Sequence, residues 1–285
     1  MTGLEQVTDA CAGHGEGPVW DPGVGAIRWV DMLAGDILTL DGATGSVTRT
    51  HVGSVAAAFR PRTTGGLVIA VERGFALMDP DGTLHHQPDL WRDPAVRMND
   101  GGCDPQGRFY CGSMAYDESP GAGRLYRLDL DGSVAVVLED LTISNGLAWS
   151  QDGETVFHVD SPTGTVQQFR FDAETGTFHD AEVVVKIESA DGVPDGLCID
   201  AAGDLWVALW RGSAVRHYSC SGELVVVVVL PVPLVTACTF GGDDLCDLYI
   251  TTSRMGVPPG EQPEAGALFR IRPGAQGVPA LLFGA

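Results

Sequence analysis

Residues 195–200 read DGLCID and residues 145–150 read NGLAWS. The same phrase, a small or polar residue opening a short apolar strand that ends in a turn, recurs as EGPVWD from Glu16, VAAAFR from Val55, NDGGCD from Asn99 and TACTFG from Thr236. Copies spaced by about 45 residues have the length of one four-stranded propeller blade. Turns rich in Asp, Pro and Gly follow, such as Asp21-Pro22-Gly23 and Asp104-Pro105-Gln106-Gly107, because these residues supply turn dihedrals and local hydrogen bonds. Second strands then read AIRWVD, LVIAVE, RFYCGSM, TVFHVD, DLWVALW and LYITTS, and third strands DILTLD, FALMDP, RLYRLDL, TVQQFRF, AVRHYS and ALFRIR. The expected fold is all-β: a six-bladed β-propeller of four-stranded antiparallel blades around a central channel, residues 1–285 forming a single domain. Residues 4–9 are expected to pair with the last blade and close the circle, which removes an exposed edge; closure through residues 279–283 is the alternative.

If each phrase starts the innermost strand of its blade, the opening residues converge on one face of the channel. Four of them, Glu16, Asn99, Asn145 and Asp195, bring carboxylate or amide oxygens. Glu16, Asn145 and Asp195 offer two carboxylates and an amide carbonyl, hard donors suited to Ca²⁺, Mg²⁺ or Mn²⁺. Three protein ligands leave room for water and substrate. The competing reading is that Asn-Gly and Asp-Gly are simply common turn dipeptides. Antiparallel pairing also places the ends of the second strands on this face, so Asp31, Glu72, Asp160 and residues 114–121 should border the ring.

Composition narrows the partners. The net charge is −21, from 38 Asp+Glu against 17 Lys+Arg, and Lys186 is the only lysine. Such a surface repels phosphate backbones and anionic lipids, which disfavours nucleic-acid and membrane binding. No basic and apolar leader opens the sequence. The seven cysteines show no CxxC spacing, so free thiols in a reducing cytoplasm are expected. Cys198 and Cys238 fall at similar places in inner strands, as small buried hydrophobes. The valine-rich run 224–230 is too short to span a bilayer and is expected to be a buried strand. No nucleophile elbow, HExxH or Walker loop is present, and Gly13-His14-Gly15 fails as a dinucleotide fingerprint at Pro18. Asp129-Leu130-Asp131-Gly132 lacks the rest of a calcium loop and reads as a turn. His14, close to Glu16, reads as structural.

The stretches RMNDGGCDPQGRFYCGSM, ISNGLAWSQDG, VDSPTGTVQQFRFDAETG, PDGLCIDAAGDLWVALW and CTFGG resemble, in order, motifs of the regucalcin / senescence marker protein–gluconolactonase family, from about Gly15 to about Arg270. The resemblance implies a six-bladed propeller with one divalent ion in its channel and hydrolysis of aldonolactones. It implies metal ligation by Glu16 (GEGPVW), Asn145 (ISNGLAWS) and Asp195 (PDGLCID), with Asp195 also the base. Substrate contacts fall on Arg97 and Asn99 (RMND) and on Asp117 (GSMAYD), where the family usually carries Glu. The ion expected first is Ca²⁺, with Zn²⁺, Mn²⁺, Mg²⁺ or Fe²⁺ as alternatives. The expected partner is a sugar lactone, with an acidic rim suiting a neutral polyol, and the chain is expected as a monomer or weak homo-oligomer. Two other functions are compatible with such a propeller: a phosphotriesterase- or arylesterase-like hydrolase on the same metal, and a non-catalytic binding scaffold.

Overall fold

The computed structural model describes residues 3–258 and 260–284. Six four-stranded antiparallel sheets form a ring, each running outward from one of the repeated phrases. The innermost strands are Gly15–Asp21, Ala56–Pro61, Val96–Cys103, Ser144–Trp149, Val193–Ile199 and Val235–Gly241. The sixth blade takes its outermost strand from the other end of the chain: Glu5–Gln6 pairs antiparallel with Phe269–Ile271. The ring thus closes through the N-terminal segment. Residues 276–284 instead cross the far end of the channel, where Ala201 N donates to Gln276 O (2.7 Å) and Phe283 N to Pro61 O (2.9 Å).

Apolar clusters fill the wedges between neighbouring blades. Phe59, Ile69, Phe75 and Phe109 pack together in one cluster, and Trp206, Phe240 and Ile250 in another. Complete burial of a side chain such as Phe59 contributes about 2–3 kcal/mol. Turn aspartates anchor several of the inner hairpins, the turn at residues 62–66 of the second blade having none. Asp104 accepts the Gln106 and Arg108 backbone N–H groups (3.0 and 2.9 Å), Arg108 Nε and the Tyr110 hydroxyl. Asp200 does the same for Ala202 N, Asp204 N and Trp206 Nε1. Asp200, Asp204 and His217 lie close enough to share a cation, but both Asp200 oxygens are already engaged in this turn and His217 stacks on Trp206 at 4.2 Å.

The valine-rich segment departs from expectation. Leu224–Val229 is the outermost strand of the fifth blade, not a buried one; Val225 is 53% and Val229 69% exposed. Its blade ends there, so only one face and one edge find partners. The cysteines are free, as expected, and Cys198 and Cys238 face each other across adjacent inner strands with sulfurs 3.7 Å apart.

Every innermost strand carries one extra residue near the start of its phrase, a β-bulge against its neighbour. A bulge re-aims side chains, here at the channel end where the phrases begin. The glycines after Asn145 and Asp195 have a different origin from turn chemistry. A Cβ on Gly146 would lie 2.7 Å from Asp195 O, and one on Gly196 would lie 2.5 Å from the Ala237 methyl. Neighbouring inner strands approach so closely around the axis that only glycine fits.

Candidate active site

At the channel end where the phrases open lies a cavity of about 270 Å³ whose lining includes His14, Glu16, Arg97, Asn99, Asn145 and Asp195. A smaller cavity of about 110 Å³ sits at the other end, under residues 278–281. Five of the six site residues expected from sequence therefore meet in one place. Asp117 does not join them: it is exposed and accepts Ser119 N (3.1 Å) and Ser119 Oγ (2.7 Å). On that loop it is Glu118, held at φ 58°, that lines the cavity.

The backbone leading into Glu16 and into Asn145 is clamped by a carboxylate from the end of the adjacent strand. Asp31 accepts both Gly13 N and His14 N at 3.0 Å, two residues before Glu16. Asp160 accepts Ile143 N at 2.8 Å and Thr142 N at 3.2 Å, just before Asn145. These are the border residues that antiparallel pairing anticipates, and their part is to fix the strand entry. Glu72, the third, accepts the Tyr116 hydroxyl at 2.8 Å.

The orientation of Asn145 follows from a hydrogen-bond chain. The Ser161 hydroxyl donates to Pro194 O (2.7 Å), so it can only accept from Asn145, whose Nδ2 approaches it at 2.8 Å. The carbonyl oxygen is thereby left on the Asn99 side, where Asn99 Nδ2 donates to it at 3.1 Å. Asn99 is itself held by Arg97, whose Nη1 donates to Asn99 Oδ1 at 2.7 Å and to Met98 O at 2.9 Å. Arg97 makes no ion pair among the described residues; its guanidinium lies 5.7 Å from the Tyr116 ring centroid.

Electrostatics set this cage apart from a packed core. Burial drives the Glu16 carboxyl well above its ordinary range, and the nearby Asp195 and Asp100 push it further. Asp195 is raised likewise, by burial and then by Asp100, with Arg97 only partly opposing. Asp195 Oδ1 is buried with no hydrogen-bond partner among the described residues, as is Arg97 Nε. An unpartnered buried carboxylate oxygen is strongly unfavourable, so its persistence points to a ligand. Two carboxylates and one oriented amide carbonyl fit a hard divalent cation. His14 stays neutral: burial, reinforced by Arg97, pulls it down to about 3. Its Nδ1 meets Ser253 Oγ at 2.9 Å, and its Nε2 lies 3.8 Å from Glu16 Oε1.

Ser161, Trp210, Arg211 and Met255 also line the cavity, and inner-strand phrases alone do not find them. Ser161 and Arg211 follow the ends of second strands, the same signal that located Asp31 and Asp160.

A six-bladed propeller with two buried carboxylates and an oriented amide carbonyl at one channel mouth defines a class of toroids with a polar, ligand-accepting channel end. A sequence model of the "SMP-30/Gluconolactonase/LRE-like region" matches residues 14–254. The chain belongs to this family. It is 35% identical to a regucalcin of Danio rerio, covering 93% of this chain and 92% of that one. It is also 35% identical to a pentonolactonase of Haloferax volcanii, covering 97% and 96% respectively. Among solved structures, a calcium-binding regucalcin from Agrobacterium tumefaciens superposes with a TM-score of 0.91 at 28% identity, covering 98% of this chain and 96% of that one. No helix in the described residues is long and apolar enough to cross a membrane.

Proposed function

We propose that this protein hydrolyses sugar lactones at the Glu16–Asn145–Asp195 cage with the help of one divalent cation. The observation that carries the reading is the unpartnered, buried Asp195 Oδ1 beside a second buried carboxylate, Glu16, in the channel-end cavity. The sugar-lactonase names among the relatives, including a putative sugar lactone lactonase of Bacillus subtilis that is 34% identical, support the reaction class.

Glu16, Asn145 and Asp195 would hold the cation, which supplies Lewis acidity toward the lactone carbonyl and the developing oxyanion. Asp195 takes a proton from the attacking water as the new C–O bond forms. When the ring C–O bond breaks, the departing alkoxide recovers that proton, and the product is the open hydroxy acid. Asn99, fixed by Arg97, holds the Asn145 amide in place, its two amide hydrogens spent on Ser144 O and Asn145 Oδ1, and keeps one lone pair of its Oδ1 to accept from a sugar hydroxyl. The apolar lining of Met114, Ile143, Pro162 and Val193 limits free water around the reacting atoms.

The test is pH-stat hydrolysis of a small panel of aldonolactones by chelated protein reconstituted ion by ion, with an activated phosphotriester assayed in parallel. Turnover of lactone that needs the added ion and disappears in Asp195→Asn is expected. Full activity in the chelated protein, or preference for the phosphotriester, refutes the reading.

A further inference from the structure

Arg211 stands at the cavity mouth beside Trp210, and nothing in the mechanism above uses it. Its backbone is left-handed, φ 63°, as is that of Ser213, φ 50°, a conformation uncommon for residues other than glycine. The turn imposing it is firmly held. Gly212 N donates to Leu209 O at 3.0 Å, Leu230 N donates to Ser213 O at 2.8 Å, and a Cβ on Gly212 would come 2.4 Å from Asp191 O. Unusual backbone at a ligand cavity is a reason to look for function.

The guanidinium is also unspent. Of the 17 Lys and Arg side chains, only Arg92 and Arg211 enter no ion pair or side-chain hydrogen bond among the described residues, in a chain where even Lys186 finds Glu188. The charged groups lining the cavity are Glu16, Asp195, Glu118, Arg97 and Arg211. A divalent cation cancels Glu16 and Asp195. Among the side chains that line the cavity, Arg97 and Arg211 are then opposed by Glu118 alone, leaving one net positive charge on the wall of a cavity in a protein whose net charge is −21. Local charge thus opposes the global charge, and it points to an anionic ligand, not the neutral polyol that overall acidity suggests.

We propose that Arg211 is an anion subsite, and that the substrate is a lactone bearing a carboxylate at the end remote from its ring carbonyl. The substrate class rests on the lactonase reading above. A guanidinium suits this task because its planar donors match a carboxylate two bonds at a time.

The probes are the γ-lactones of gluconate and glucarate, which share a ring and differ at the far end, hydroxymethyl against carboxylate. Wild type is expected to favour the glucarate lactone in kcat/KM. Arg211→Asn, chosen because asparagine tolerates the left-handed backbone, should cut that preference five- to tenfold, mainly through KM, and change the neutral lactone less than twofold. Arg211→Lys should keep most of the preference. An equal loss on both lactones, or a wild type that favours the neutral one, overturns the proposal. Calorimetric titration of cation-loaded protein with glucarate and gluconate gives a readout free of turnover: Arg211→Asn should erase the advantage of glucarate. If no lactone is hydrolysed at all, the lactonase reading fails by itself. The titration still decides the subsite, and unchanged glucarate affinity in Arg211→Asn refutes it.

Discussion

Replacing Asp195 by Asn should make the cation-free protein more stable while removing its function. In the folded state the Asp195 carboxyl is held well above its ordinary range by burial and by Asp100, and Glu16 is raised in turn by burial and by Asp195. A group whose folded value exceeds its unfolded one binds more protons when folded, so stability falls as pH rises from the unfolded carboxylate value, about 4, toward the folded one. At neutral pH the chelated wild type therefore carries a destabilising site. Asparagine keeps the shape, removes the charge, and relieves Glu16 as well. Gains from relaxing such functional sites run at about 1–2 kcal/mol, or roughly 2–4 °C in Tm for a chain of this length. Cation reverses the order. Wild type at a cation concentration a hundredfold above Kd gains about 2.7 kcal/mol, and the variant, lacking a ligand oxygen charge, gains little. Scanning calorimetry of both proteins, with chelator and with Ca²⁺, at pH 5 and pH 7.5, measures these differences. The stability advantage of the chelated variant over chelated wild type should be largest at pH 7.5 and should shrink at pH 5, where the Asp195 carboxyl of the folded, chelated wild type is protonated. A chelated Asp195→Asn protein less stable than chelated wild type at pH 7.5 would show that the carboxylate is structurally satisfied and that the cage argument is wrong.

Gly146→Ala places a methyl 2.7 Å from Asp195 O and 2.8 Å from Leu197 Cγ; a loss of about 1–3 kcal/mol in denaturant unfolding and at least tenfold weaker cation binding are expected, and tolerance without change in either would mean that the inner strands have slack. Asp160→Asn removes the charged acceptor for Ile143 N and Thr142 N, so a fall of about 1.5–3 kcal/mol should accompany weakened binding at Asn145, and an unmoved Tm argues against the clamp. His158 is fully buried, its Nε2 2.8 Å from Ser144 Oγ, and burial lowers it to about 4. A folded value below the unfolded 6.5 means that unfolding takes up a proton as pH drops, so roughly 3 kcal/mol of stability should disappear between pH 7 and pH 4; denaturant titrations across that range should show a shallower fall in His158→Gln, and an identical slope would assign the acid sensitivity elsewhere.

Periodicity made the propeller legible because each inner strand repeats the same physical task, an apolar segment that starts at the axis and ends in a tight turn, anchored by an aspartate at Asp104 and Asp200. Convergence of Glu16, Asn145 and Asp195 follows from that repeat, since residues at one repeat position must share one end of the channel. What periodicity cannot supply is the aim of individual side chains. Asp117 and Glu118 are neighbours on one loop, and only the local turn decides which faces the cavity: Asp117 is drawn to Ser119, and the positive φ at the next residue swings Glu118 inward. Hydropathy likewise misplaced the valine run, because a strand's composition records its β-propensity but not its rank within the blade, and the fourth strand has no neighbour beyond it. Nor did the glycines after Asn145 and Asp195 declare their purpose. Read along the chain they are turn formers, whereas in three dimensions they are the places where neighbouring inner strands touch. The asymmetry is physical. Channel-facing positions on inner strands inherit the symmetry of the fold, while rim positions such as Glu118 and Arg211 sit on loops free to differ from blade to blade, and it is on such loops that a family can vary its substrate without disturbing its core.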